Sequence, residues 1–158
     1  MNDMLLGFAL TCALLVPSAL PSVAASPSAG PSAPPDDGAS IVNSGSTNLA
    51  GYQLHVLPNG SVVAGPGASA PKQVSAALAR RLFADLAAAG PLDRLPAAAC
   101  MKSASFGSVT RVTYRGQTSP DLSCPSSSRA LRALAADAAA VTDAAGIRPT
   151  TRSRLVLP

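Results

Sequence analysis

The chain has 158 residues, 47% of them hydrophobic and 13% charged, with a formal net charge of +4. That length leaves room for one modest domain. The cations are scattered and aromatic residues make up only 3%, which excludes the basic, stacking-rich surface of a nucleic-acid binder.

Met1 to Ala25 reads as a secretory signal peptide. Leu5 to Val16 is an apolar run broken at Pro17, too short to span a bilayer. Val23-Ala24-Ala25 supplies the small residues that precede cleavage. Met-Asn-Asp brings no Lys or Arg to the front of this segment, a departure that a different start codon would remove. Cys12 comes too early for a lipoprotein signal and is followed by more apolar chain. The two remaining cysteines, Cys100 and Cys124, therefore pair most simply with one another in an exported product, periplasmic or extracellular. No membrane span is expected in the mature chain.

Residues 26–40, SPSAGPSAPPDDGAS, are rich in Pro, Ser, Ala and Gly and poor in large apolar side chains. Such a stretch buries too little to offset its ordering entropy and reads as a disordered linker. Residues 41–147 then form a single α+β domain. Ile41 to Ala50 reads as an opening loop, in which Asn43, Ser44, Ser46, Thr47 and Asn48 make an Asx/ST turn or, as the alternative, a nest of N–H donors for an anion. It lacks the ending of a phosphate loop.

From Gly51 the pattern has period two. Tyr52, Leu54 and Val56 point one way and Gln53, His55 and Leu57 the other, and Asn59-Gly60 turns the chain into a second strand, Ser61 to Ala64. A helix follows, with Pro71 at its first position. Val74, Leu78, Leu82, Leu86 and Ala89 form its apolar stripe, widened by Phe83, while Arg80, Arg81 and Asp85 point elsewhere. Gly90-Pro91 ends it.

Residues 106–124 form a second hairpin. Phe106, Thr110, Val112 and Tyr114 share a face, Arg115-Gly116 is the turn, and Gly107 falls opposite Cys124. Pro120 marks the return strand as an edge or a short one. The last helix is capped within Ser126–Ser128, carries Leu131, Leu134, Ala138, Val141 and Ala145 as its seam, and stops at Gly146. Residues 148–158 read as a flexible tail. The expected order is ββαββα: an antiparallel sheet of about four strands with two helices on one face. So light a core makes the disulfide important.

NSGSTNLAGY near residue 43, ACMKSASFG near residue 99 and SPDLSCP near residue 119 resemble a recurring signature of small exported bacterial proteins of uncharacterised function. The helix FADLAAA followed by a cysteine, a hairpin and another cysteine is similar, more weakly, to the subtilisin-inhibitor-like family. That resemblance implies a reactive loop near Met101 and Lys102. A second disulfide and a Cys-Pro pair after the first cysteine, both usual in that family, are missing here.

The functional reading is a non-catalytic binding or interaction module whose face comprises Met101, Lys102, Ser103, Ser105 and Asp121. Its expected partner is a protein or a cell-envelope component. The first alternative is a secreted serine-peptidase inhibitor, and the second an enzyme using His55. His55 is the sole histidine and sits on the polar face of its strand, so it makes no metal cluster and has no evident catalytic partner. Paired cysteines leave no thiolate nucleophile. No cofactor is expected, and Lys102 with Asp121 could amount to a plain surface ion pair.

Overall fold

A computed structural model of the protein describes residues 37–65, 70–147 and 151. The segment expected to be a signal peptide, most of the expected linker, and the expected tail apart from Thr151 lie outside the described residues. Among the described residues six strands occur: β1 (Ala39–Asn43), β2 (Tyr52–Val56), β3 (Ser61–Ala64), β4 (Lys72–Gln73), β5 (Thr110–Tyr114) and β6 (Gln117–Thr118). Helices α1 (Ala76–Ala89) and α2 (Arg129–Ala144) follow β4 and β6, and a 3₁₀ turn at Leu92–Arg94 follows α1. All six strands join one antiparallel sheet in the order β4-β3-β2-β1-β5-β6.

The fold class is α+β as expected, but the sheet has six strands instead of about four. The largest correction is β1. The stretch read as linker end and opening loop is a central strand, with Ile41 opposite Leu54 on one side and Val112 on the other. Ala39 and Ile41 are fully buried, so the ordered chain begins before Ile41. The second addition, β4, is two residues long and pairs Lys72 with Val62 and Gln73 with Ser61.

Because β4 takes Lys72 and Gln73, Pro71 does not start the helix. Ser75 does, its side chain accepting from the Leu78 amide at 3.2 Å, which satisfies one of the N–H groups a helix start leaves free. Ser128 does the same for α2. The α2 seam is as expected, since Leu131, Leu134, Ala138, Val141 and Ala145 are all buried.

The first hairpin turns through three residues, Pro58-Asn59-Gly60, between the pair Leu57 and Ser61. Gly60 has φ 85°, the left-handed residue that closes a three-residue loop, so Asn59-Gly60 is not a two-residue turn. The β5–β6 turn does match expectation. Arg115 and Gly116 both have positive φ, 49° and 74°, as a type I′ turn requires. The expected register holds next to that turn, Tyr114 facing Gln117 and Thr113 facing Thr118, and regular pairing ends before Pro120.

One apolar cluster joins the inward residues of the sheet to both helices, and each large aliphatic side chain it buries is worth roughly 1.5–3 kcal/mol. Val42 and Val63 on the opposite sheet face are about 40% exposed (40% and 42%), so the helices cover one face. Phe83 and Tyr114 meet edge-on with ring centroids 5.7 Å apart. Thr151 forms an isolated bridge with Leu49, so the expected tail touches the domain at that point. No described helix is long and apolar enough to cross a membrane.

Candidate binding surface beside the Cys100–Cys124 bond

The chain between the 3₁₀ turn and β5 carries no regular structure, and three devices hold it. The first is the disulfide: Cys100 and Cys124 are bonded, with Cα atoms 5.5 Å apart across 24 residues of sequence. Cys124 is buried and Cys100 exposed, so the bond reaches from the domain's interior out to the loop.

The second is Lys102. Its ammonium donates to Asp121 Oδ2, to Ser123 Oγ and to the Ser108 carbonyl. Asp121 Oδ1 in turn accepts from the amides of Thr110 (3.2 Å) and Ser123 (3.0 Å) and from Ser123 Oγ (2.6 Å). Burial would push the Asp121 carboxyl up, but the bonds from Lys102, Ser123 and Thr110 outweigh it and lower its pKa to about 2. Lys102 and Asp121 are 22% and 15% exposed. The pair is thus more than a surface contact, since it pins residue 102 to both ends of the hairpin.

The third is the loop after β1. Asn43 uses its whole side chain: Nδ2 donates to Ser108 Oγ (3.0 Å) and Thr110 Oγ1 (2.9 Å), and Oδ1 accepts from the Gly45 amide (2.9 Å). Ser44 exchanges bonds with the main chain of Val109. Thr47 donates to the Ala104 carbonyl through both its amide and its hydroxyl, and the Ser105 carbonyl accepts from Ser46 Oγ and the Asn48 amide. The amides of residues 44–48 are therefore all occupied within the protein. An anion nest needs them free, and that reading is overturned.

The three stretches with the suspected signature thus meet in one polar network around the loop. Of the expected face, Lys102 and Asp121 are consumed in holding the loop, and Ser105 is half-buried against Ser46 and Asn48. Met101 and Ser103 are exposed, Met101 completely.

Phe106, expected to share a strand face with Thr110, Val112 and Tyr114, is 59% exposed, because the strand begins only at Thr110. Pairing needs residues 106–109 to continue the ladder, and their main chain is committed instead to Ser103 and Ser44. Met101 and Phe106 border an open groove of about 550 Å³, which Lys102, Ser103, Ser123 and Pro125 also line. Sequence reasoning missed Phe106. The polar run KSASFGS around it, without alternation, was the signal that it lies in a loop.

Ser123 Oγ donates to Asp121 Oδ1, but a carboxyl whose pKa is lowered to about 2 is a poor base for a hydroxyl. The His55 ring makes no hydrogen bond among the described residues, and its Nε2 is buried without a partner there. The ring lies so close beneath Gly38 that a Cβ there would sit 2.2 Å from Nε2. Among the described residues no three His, Cys, Asp or Glu side chains gather as metal ligands.

A second charged group lies between the helices. Arg81 Nε donates to Asp137 Oδ1 at 2.5 Å, and Asp137 is 2% exposed. Arg81 therefore faces α2, contrary to the expectation that it points elsewhere. Asp137 Oδ2 has no partner among the described residues. Burial raises the Asp137 pKa and neighbouring Asp85 adds to the rise, against the pull of Arg81.

Comparison with protein-family models, with curated proteins and with solved structures finds no match.

Proposed function

We propose that this chain is an exported, disulfide-stapled binding module that engages a protein or cell-envelope partner through the surface around Met101 and Phe106. One observation carries the reading. Two large apolar side chains stand in solvent on a loop whose polar groups and covalent bond hold it in place. Exposed Met and Phe on a fixed scaffold lose little freedom on docking, so more of their contact energy goes into affinity, and both residue types are enriched at the centres of interfaces. Export supports it from another side, because a structural disulfide persists in oxidising compartments and the N-terminal segment has the composition of a signal peptide.

The test is affinity capture with the full chain from periplasmic and culture extracts. Met101→Asp and Phe106→Asp should each lose the captured partner, and Val63→Asp on the far sheet face should keep it. Equal capture by all three variants would sink the reading. Complete exposure of Met101, one residue from the disulfide, also favours a serine-peptidase inhibitor with Met101 as the residue presented. In that case a secreted serine peptidase is blocked at near-stoichiometric amounts and the block disappears in Met101→Asp.

A further inference from the structure

The two sulfurs of the Cys100–Cys124 bond stand in opposite surroundings. Cys100 is exposed and borders the groove of Met101 and Phe106. Cys124 is 7% exposed. A second groove of about 470 Å³ passes over it beside Leu131 and Arg132, but little of the residue opens there. Cys124 Sγ also lies 3.6 Å from Asp121 Oδ2. The Lys102 ammonium gives its three donors to Asp121, Ser123 and Ser108, so none is left for a sulfur.

A disulfide is opened by a thiolate that attacks one sulfur and expels the other, and access helps decide which is struck. Burial closes the approach to Cys124, and the Asp121 carboxylate repels an anion that nears it. The approach to Cys100 runs through an open groove, where Lys102 and Asp121 neutralise each other and favour no charge on the incoming molecule. We propose that Cys100 Sγ is a thiol-modification site, at which a small uncharged aliphatic thiol forms a mixed disulfide while Cys124 is released.

In this step the thiolate sulfur bonds to Cys100 Sγ, the Cys100–Cys124 bond breaks, and its electron pair leaves on Cys124 Sγ. That sulfur takes a proton from water and donates it to Asp121 Oδ2. The incoming sulfur is oxidised by as much as Cys124 is reduced, so no other oxidant or reductant takes part. Held as a thiol, Cys124 is a weak nucleophile, and the adduct on Cys100 outlasts the attack.

The probe is 2-mercaptoethanol, added briefly to the folded full chain at neutral pH and quenched with N-ethylmaleimide. Trypsin then places Cys100 and Cys124 in separate peptides, residues 95–102 and 116–129, whose masses are read. In the first products mercaptoethanol should sit on Cys100 and maleimide on Cys124, about tenfold or more in excess of the reverse, because access sets the choice. The same reaction in concentrated urea should lose most of that excess. Equal labelling of the two sulfurs in the folded chain overturns the proposal, as does an excess on Cys124. So does a preference that survives in urea, which would come from local sequence and not from the fold. A bond that opens only as fast as amide exchange at Ile41 and Val112 reports global unfolding overturns it too.

Discussion

Asp121 and Asp137 each sit beside a cation, yet their carboxyls are pushed in opposite directions. For Asp121 burial is outweighed by the bonds it accepts, and its pKa falls from 3.8 to about 2. A folded value below the unfolded one means stability that is present above about pH 4 and is lost as pH falls through 3.8 towards 2. Asp121→Asn should flatten this acid limb in urea unfolding. It should also cost about 1–3 kcal/mol at pH 7, because Lys102 is left without its anion.

Asp137 is the reverse case. Its folded value lies above the unfolded 3.8, so its contribution is full below 3.8 and is lost as pH rises through the folded value. Asn at this position keeps an acceptor for Arg81 and adds a donor towards Asp85. Asp137→Asn should therefore match or exceed the parent in stability at pH 7 and show less decline as pH rises above 3.8. A loss of more than 1 kcal/mol at pH 7 would mean that Arg81 needs the full charge.

At the scale of elements, the 103–109 loop depends on a backbone approach that only glycine permits. A Cβ on Gly107 would lie 2.5 Å from the Ser103 carbonyl oxygen and 2.6 Å from Lys102 Cβ. Gly107→Ala should displace the loop and release Lys102, read as faster hydrogen exchange at Thr47, Asn48 and Val109. Exchange at Ile41 and Val112 in the sheet should change far less.

The parts legible in the sequence were those with a long period or a strong punctuation mark: the α2 seam, the Leu82–Leu86 face of α1, the Arg115-Gly116 turn, and the pairing of the two late cysteines. Strand β1 was not legible. Its five residues, ASIVN, put only Ala39 and Ile41 into the core, too few to show alternation, and the Pro/Gly-rich run before them suggested linker. Its strand character comes from β2 and β5 on either side, a tertiary cause invisible locally. Phe106 was misplaced for a related reason. An aromatic residue near a strand suggests burial, whereas here the backbone's bonds to Ser103 and Ser44 take it out of the sheet.

At the scale of the molecule, the largest fully buried side chains among the described residues are aliphatic apart from Asp137, and so light a core makes the covalent staple matter. Closing a loop of this length removes roughly 3 kcal/mol of unfolded-chain entropy, a large share of the ~5–15 kcal/mol that holds a typical domain. Cys100→Ser with Cys124→Ser should lower the urea midpoint accordingly and free the 97–102 segment, and added reductant should do the same to the parent. A double variant as stable as the parent would show that the loop is held by Lys102 and Asn43 alone.

The place of β1 has a mechanical consequence. The earliest described strand in the sequence is the middle of the sheet, gripped along five residue pairs by β2 and five by β5. A pull on the chain ahead of residue 37 is therefore carried straight into the centre of the domain and resisted by both ladders at once. Losing those five residues would part the sheet into two halves that share no strand.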